Sequence, residues 1–417
     1  MSAVLLAKSR AESLVRGEAT VWRRQQPAAD AITMAEVEEA RARFERFAPV
    51  LRHLFPESGW DGRVQSALLD YQPPGGLPKV LVKTDHALPM TGSIKARGGV
   101  HELLCQIERI ARAEGLPIDG DITAALTSPE ARAAMARHTV IVASTGNLGF
   151  SIGLVARVFG VGAEIHMSRD AKAWKKDRLR KLGARVVEHA CDFNETVERA
   201  GQAAASQPQA YFVDDETSRE LMLGYAVAAQ ELALQLQARG IAIGPSRPLY
   251  VYLPCGVGGA PGGVTFGLKH LFGPHVHCVF VEPTASASMF AALDREVPAP
   301  VHVAELGLDN DTIADGLAVP RASPLALAVV GKLIDGVVAV SDRSLLQWIR
   351  TLWSDAGLRL EPAAAAGFAA LGPWLDTLAR QTPDTISQVR HDAVHVVWTT
   401  GGSLLPDDEF NKLLEDG

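Results

Sequence analysis

Apolar positions along the chain fall into two patterns. In the first hundred or so residues the spacing reads as mostly helical. Residues 35–47 (AEVEEARARFERF) carry apolar side chains at helical intervals, and Pro49 and Pro56 interrupt the pattern soon after. Residues 79–83 (KVLVK) form a short strand candidate. From His138 onward, short apolar runs alternate with helical stretches. Strands are predicted at 140–143, 163–167, 185–189 and 210–213, with helices from the end of an STGN turn through Val158, at 172–182 and at 193–204. A long amphipathic helix at about 218–239 leads to a second series: a strand at 249–253 (LYVYL), a glycine-rich turn at 256–263, a helix at 264–271 and a strand at 276–281. A last strand is predicted at 394–398 (VHVVW).

Strands of this length alternating with helices imply right-handed crossovers and parallel sheets covered on both faces, an α/β architecture. A chain of 417 residues is long enough for two domains. The expected division is a large domain of residues 1–137 and 219–417, with a small α/β domain of 138–218 inserted. Three loops would then lie at carboxyl ends of strands, where open α/β sheets collect ligands: Ser144-Thr145-Gly146-Asn147, the glycine-rich run, and Thr399-Thr400-Gly401-Gly402.

Composition narrows the function. The formal net charge of -7 gives no basic footprint for nucleic acid. The four cysteines, Cys105, Cys191, Cys255 and Cys278, have no CxxC spacing, so neither a disulfide framework nor a zinc knuckle is expected. The first residues hold only a four-residue apolar run before alternating charges, and no segment reaches the roughly 18 apolar residues of a membrane span. A cytoplasmic protein acting on a small molecule, without nucleic-acid or membrane partners, is the expectation.

The run PCGVGGAPGGV, residues 254–264, follows a strand and precedes a helix. Successive glycines let backbone N–H groups turn inward as an anion nest, and the positive end of the next helix adds to it. It reads as a cup for one phosphate or as a flexible turn; it is neither a Walker loop nor a dinucleotide fingerprint. In TGSIKARGG, residues 91–99, Lys95 is flanked by small residues. Burial would favour the neutral amine that a Schiff base requires, whereas a solvated surface lysine is the ordinary alternative.

GSIKARG, the STGN loop and the GVGGA cup occur in an order that resembles the fold-type II pyridoxal-phosphate (PLP) enzymes, the family of tryptophan synthase β, serine racemase and threonine deaminase. Further segments, GSIKARGGVHE, STGNLGFSIG, YFVDDE, HVHCVFVEP, GLDNDTIADGLAV and TTGGSLLPDDE, look like the bacterial D-serine dehydratase branch, over about residues 85–409. Thr91-Gly92 before Ser93, and Ala260 in place of a further glycine, depart from the pattern.

The resemblance implies two open, twisted, mostly parallel sheets flanked by helices, with PLP held by Lys95 as a Schiff base. Gly256, Val257, Gly258, Gly259 and Ala260 would grip its phosphate. Asn147 would bond the pyridine 3-oxygen, and Thr400 would face the pyridine nitrogen, with Thr399 the adjacent alternative. Ser144, Thr145 and Gly146 would offer donors to the substrate carboxylate, and Lys95 would serve as base at Cα. Asp214 or Asp215 would assist the departing hydroxyl, or else cap the helix near Ser218; Asp215 is the candidate carried forward. Some relatives need a monovalent cation such as K+, for which Glu282 is the candidate against an ordinary solvated glutamate. The metal is otherwise unknown. The basic stretch 172–181 reads as a solvated face.

The implied reaction is elimination of D-serine to pyruvate and ammonia, with D-threonine as a further substrate giving 2-oxobutanoate. The D-specificity rests on resemblance alone. An L-serine or L-threonine dehydratase, a racemase or a β-replacing synthase shares the motifs around PLP. A non-catalytic protein binding a phosphorylated metabolite would keep the glycine cup but needs neither Lys95 nor Asn147. Oligomeric state is open, the resemblance favouring a monomer.

Overall fold

Eleven strands are seen in the computed structural model, which describes residues 14, 17, 19–23, 32–169, 171–191, 193–295 and 297–415. They are β1 (Thr20–Arg23), β2 (Leu68–Tyr71), β3 (Val80–Thr84), β4 (Thr139–Ala143), β5 (Gly162–Ser168), β6 (Arg185–His189), β7 (Ala210–Val213), β8 (Leu249–Pro254), β9 (Val276–Pro283), β10 (Gly336–Val340) and β11 (Val394–Thr399). Seven make one sheet in the order β1-β10-β9-β8-β11-β3-β2, and four make the other in the order β6-β5-β4-β7. The smaller sheet is wholly parallel. In the larger one, only the edge strands β1 and β2 run antiparallel to their neighbours. Residues 139–213 therefore supply every strand of the smaller sheet.

Parallel strands covered by helices on both faces have no solvent side, and their composition follows. β3, β8, β10 and β11 are buried along their whole length and are rich in valine and other β-formers. The helix Arg219–Ala238 packs on both Lys95–Ala113 and Gly259–Phe272. It meets the latter closely because a methyl at Gly263 would lie 2.4 Å from the Met222 carbonyl oxygen, and one at Gly267 would lie 2.6 Å from Ala229 Cβ.

Three expectations are corrected. Among the described residues of the first hundred, helix is not the majority, since β1, β2 and β3 lie there. Pro49 does not break the Met34–Leu54 helix, which runs through it and forgoes one N–H bond. The glycine-rich turn is shorter than expected, because the helix already starts at Gly259, and Gly262 and Gly263 serve helix packing. The N-terminal stretch that argues against a leader lies mostly outside the described residues. Among the described residues no helix is long and apolar enough to cross a membrane.

Candidate active site

The three loops meet. A cleft of about 730 Å³ opens at the carboxyl ends of β4, β8 and β11 and is lined by Lys95, Ser144, Thr145, Asn147, Asp215 and Thr400. Gly256, Val257, Gly258 and Ala260 line it from the glycine-rich loop, whereas Gly259 does not reach its wall. Gly258 stands at φ 106°, and a methyl there would lie 2.7 Å from Met289 Cε, so the turn admits no side chain at that point.

Lys95 is the first residue of the Lys95–Ala113 helix. The preceding turn is stitched to β11's loop by the Ile94 N–H on the Thr400 carbonyl (2.8 Å) and by a bridge between Ser93 and Gly401. Its ammonium donates to Asp215 Oδ2 at 3.0 Å and lies 5.9 Å from the centre of the Tyr225 ring. Burial lowers the amine's pKa, but Asp215 and Tyr225 outweigh it, and the net direction is upward. Burial acts in the direction expected of it, and the neighbouring Asp215 carboxylate is what opposes it. Tyr225, which sequence reading missed, fits here because a methyl at Gly98 would lie 2.5 Å from its ring.

The two aspartates divide the roles left open for them. Asp214 accepts the Glu216 N–H (2.9 Å) and the Thr217 hydroxyl (2.6 Å), organising the turn, and Ser218 caps the following helix through the Leu221 N–H. Asp215 turns to Lys95, and its buried Oδ1 finds no partner among the described residues. The two threonines divide as well. Thr399 donates to the Lys83 carbonyl (2.8 Å) and pairs with His86 Nδ1 (2.7 Å) inside the sheet. Thr400 lines the cleft, and its buried hydroxyl has no partner among the described residues.

In the STGN loop, Ser144 Oγ accepts the N–H groups of Gly146 (3.0 Å) and Gly149 (2.9 Å), holding the start of the Asn147–Phe159 helix toward the cleft. Asn147 donates to Glu361 Oε1 at 2.9 Å. Glu361 is buried in the cleft wall and carries no motif; burial pushes its pKa up while Lys175 opposes.

Two other sequence readings are corrected. The basic helix, Ala173–Lys181, is not wholly a solvated face: Arg180 and Lys181 are exposed, but Lys175 and Lys176 are buried, and Lys175 donates to Asp315 at 2.7 Å with its stem against Gly146. Glu282 is not a solvated loop residue. It is fully buried, its oxygens accept the N–H groups of Met289 (2.7 Å) and Phe290 (2.9 Å), and burial raises its pKa to about 8. Among the described residues the one His/Cys/acid group with metal-like spacing is His101, Cys105 and Glu220. Arg43 lies 3.1 Å from His101 Nε2 and Arg109 2.8 Å from Glu220 Oε1, so two cations already occupy its surroundings.

A lysine, a glycine-rich cup at a helix start and an unpartnered buried hydroxyl on one cleft are the fittings of a phosphorylated aldehyde. The family model described as pyridoxal-phosphate dependent enzyme matches residues 65–387, and the chain belongs to that family. Within it, the chain is 45% identical over 394 residues to a "probable D-serine dehydratase" of Sinorhizobium medicae, covering 91% of this chain and 89% of that one. It is 46% identical over 405 residues to a protein of the same name from Pseudomonas putida, covering 93% and 89%. Among solved structures, diaminopropionate ammonia lyase from Escherichia coli in complex with D-serine superposes with a TM-score of 0.75 at 18% identity, over 96% of this chain and 97% of that one. A fungal L-serine ammonia-lyase from Rhizomucor miehei gives 0.63 at 20% identity, over 85% and 98%. These two share the fold.

Proposed function

We propose that this enzyme eliminates water from D-serine and releases pyruvate and ammonia, with D-threonine giving 2-oxobutanoate more slowly. The observation that carries the reading is the meeting of Lys95, the glycine cup and the unpartnered Thr400 hydroxyl on one cleft. The names of relatives at 45% and 46% identity support the choice of substrate.

Pyridoxal phosphate, when bound, supplies an electron sink for the charge left at Cα after proton removal. Lys95 is the residue that bonds its aldehyde. The N–H groups of residues 256–258 and 260, at the start of the Gly259–Phe272 helix, would take the phosphate. Thr400 would meet the pyridine nitrogen with a hydroxyl, which does not hold a proton there as a carboxylate would. Asn147 meets the 3-oxygen. Ser144 fixes the loop whose Thr145 hydroxyl and N–H groups hold the substrate carboxylate, at the positive end of the Asn147–Phe159 helix.

Lys95 would take the Cα proton, and Asp215, 3.0 Å from its ammonium, would assist departure of the hydroxyl. Residues 138–218 form the small domain that closes the cleft against water, and 1–137 with 219–417 form the large one. The small sheet's confinement to residues 139–213 supports this division. A K+ requirement, a monomeric state and a cytoplasmic address belong to the same reading, the last supported by four unpaired cysteines.

The test is keto acid release from each enantiomer of serine and threonine. D-serine should be the best substrate of the four. Release from L-serine alone would overturn the assignment in favour of an L-specific dehydratase.

A further inference from the structure

Glu361 stands immediately before the Pro362–Gln381 helix, with extended backbone as a residue before proline prefers. It occupies the capping position, yet its carboxylate makes no bond to its own helix. It turns instead into the cleft and accepts Asn147 Nδ2 at 2.9 Å. The chain makes room for this contact. A methyl at Gly401 would lie 2.1 Å from Glu361 Oε1 and 3.2 Å from Asn147 Nδ2, and the Glu361 N–H bonds the Gly401 carbonyl at 3.1 Å. The residue after Thr400 therefore lacks a side chain where Glu361 and Asn147 meet.

A primary amide presents a donor end and an acceptor end of nearly equal shape, so packing alone orients it weakly. An ionised carboxylate accepts hydrogen bonds and donates none. Bonded to Glu361, Asn147 must keep its NH₂ group at that junction, with one N–H taken and a second left over. An electron-rich oxygen in the cleft needs that second N–H and would be repelled by the amide carbonyl. Burial prevails in raising the Glu361 carboxyl, with Lys175 the nearby cation that opposes it, so the orientation rests on the geometry: the amide nitrogen, not its oxygen, faces Oε1.

We propose that Glu361 is a positioning residue that locks the Asn147 amide donor-first toward the cofactor's 3-oxygen. This rests on the functional reading above, in which Asn147 meets that oxygen.

The experiment uses the purified holoenzyme and its Glu361→Gln, Glu361→Ala, Gly401→Ala and Asn147→Ala variants, with far-UV circular dichroism to show that each is folded. The readouts are the visible band of the substrate-free enzyme and the Kd for pyridoxal phosphate. The wild type should absorb at about 410–420 nm. Loss of one charge-assisted bond should weaken cofactor binding by about 10- to 100-fold and displace the band in the Glu361 variants. Gly401→Ala should reproduce the band shift. In an Asn147→Ala background, Glu361→Gln should add no further change, because the carboxylate acts through the amide. A wild-type band and Kd in both Glu361 variants, or full additivity with Asn147→Ala, would overturn the proposal while leaving the function intact. A colourless wild type that borohydride does not label would overturn both.

Discussion

Two charged clusters sit two residues apart on the Lys95–Ala113 helix and differ in how completely they are bonded. Arg97 donates to both oxygens of Asp85 (2.6 and 2.8 Å) and to Glu231 at 2.7 Å. Asp85 also accepts from Ser66 Oγ (2.7 Å) and Trp398 Nε1 (2.8 Å), and Lys83 closes the network on Glu231. Two cations and two carboxylates are buried there with their groups engaged. The Lys95–Asp215 pair is also largely buried, but Asp215 Oδ1 has no partner among the described residues, and neither does the nearby Thr400 hydroxyl. Saturated charge fixes a backbone. Unsaturated charge on the same helix marks where a ligand makes its bonds.

The sharpest way to break this contrast is to remove each cation in turn. Lys95→Ala should reduce turnover by roughly 10⁴-fold or more and abolish borohydride-dependent cofactor attachment, with the urea midpoint nearly unchanged. Arg97→Met should do the reverse in kind: it strands Asp85 and Glu231 in the interior and should remove about 3–5 kcal/mol of stability, read from urea unfolding. If Lys95→Ala unfolds the protein, or Arg97→Met leaves it as stable as wild type, the distinction fails.

Asp215→Asn keeps the shape and removes the charge. Turnover should fall by about 10²-fold with little loss of stability. The threonine pair repeats the contrast on a smaller scale. Thr399→Val should destabilise by about 1–3 kcal/mol by stripping buried partners, with product ratios unchanged. Thr400→Asp should slow elimination and raise side transamination, measured as pyridoxamine phosphate formed per turnover. Interchanged effects would place Thr399 at the cleft instead.

Acid sharpens the comparison last. Burial pushes the carboxyls of Asp85 and Glu231 up, but Arg97 and Lys83 together outweigh it, and both lie below their ordinary values of 3.8 and 4.5. Groups depressed on folding contribute stability above those values and lose it as pH falls through their folded ones. Unfolding free energy should therefore drop below about pH 4 in the wild type, and more gently in an Asp85→Asn, Arg97→Met double variant.

Much of this is legible in the chain. The apolar runs at 140–143 and 249–253 and the three loops after them are local signals, and the structure brings those loops to one cleft. What is not legible depends on distant packing. Gly259–Gly263 has poor helix propensity and becomes helical because Met222 and Tyr225 press against it. β10 (GVVAV) escapes the pattern reading, although it is a buried strand beside β9. Glu361 opens an alanine-rich stretch with no motif, and only the approach of Gly401, forty positions on, gives it a partner in the cleft. Lys175 reads as solvent-facing because its counter-ion, Asp315, comes from a remote loop.

The glycines at 98, 224, 263 and 267 have one more consequence. A methyl at Gly224 would lie 2.5 Å from the Arg97 carbonyl oxygen, as tight as the clashes at the other three. The second of the three helices thus meets the first backbone to backbone at Gly224 and the third at Gly263, with the Tyr225 ring seated against Gly98. Lys95 rides on the first and the glycine-rich turn leads into the third, so close packing sets the span between that amine and that turn like the jaws of a gauge.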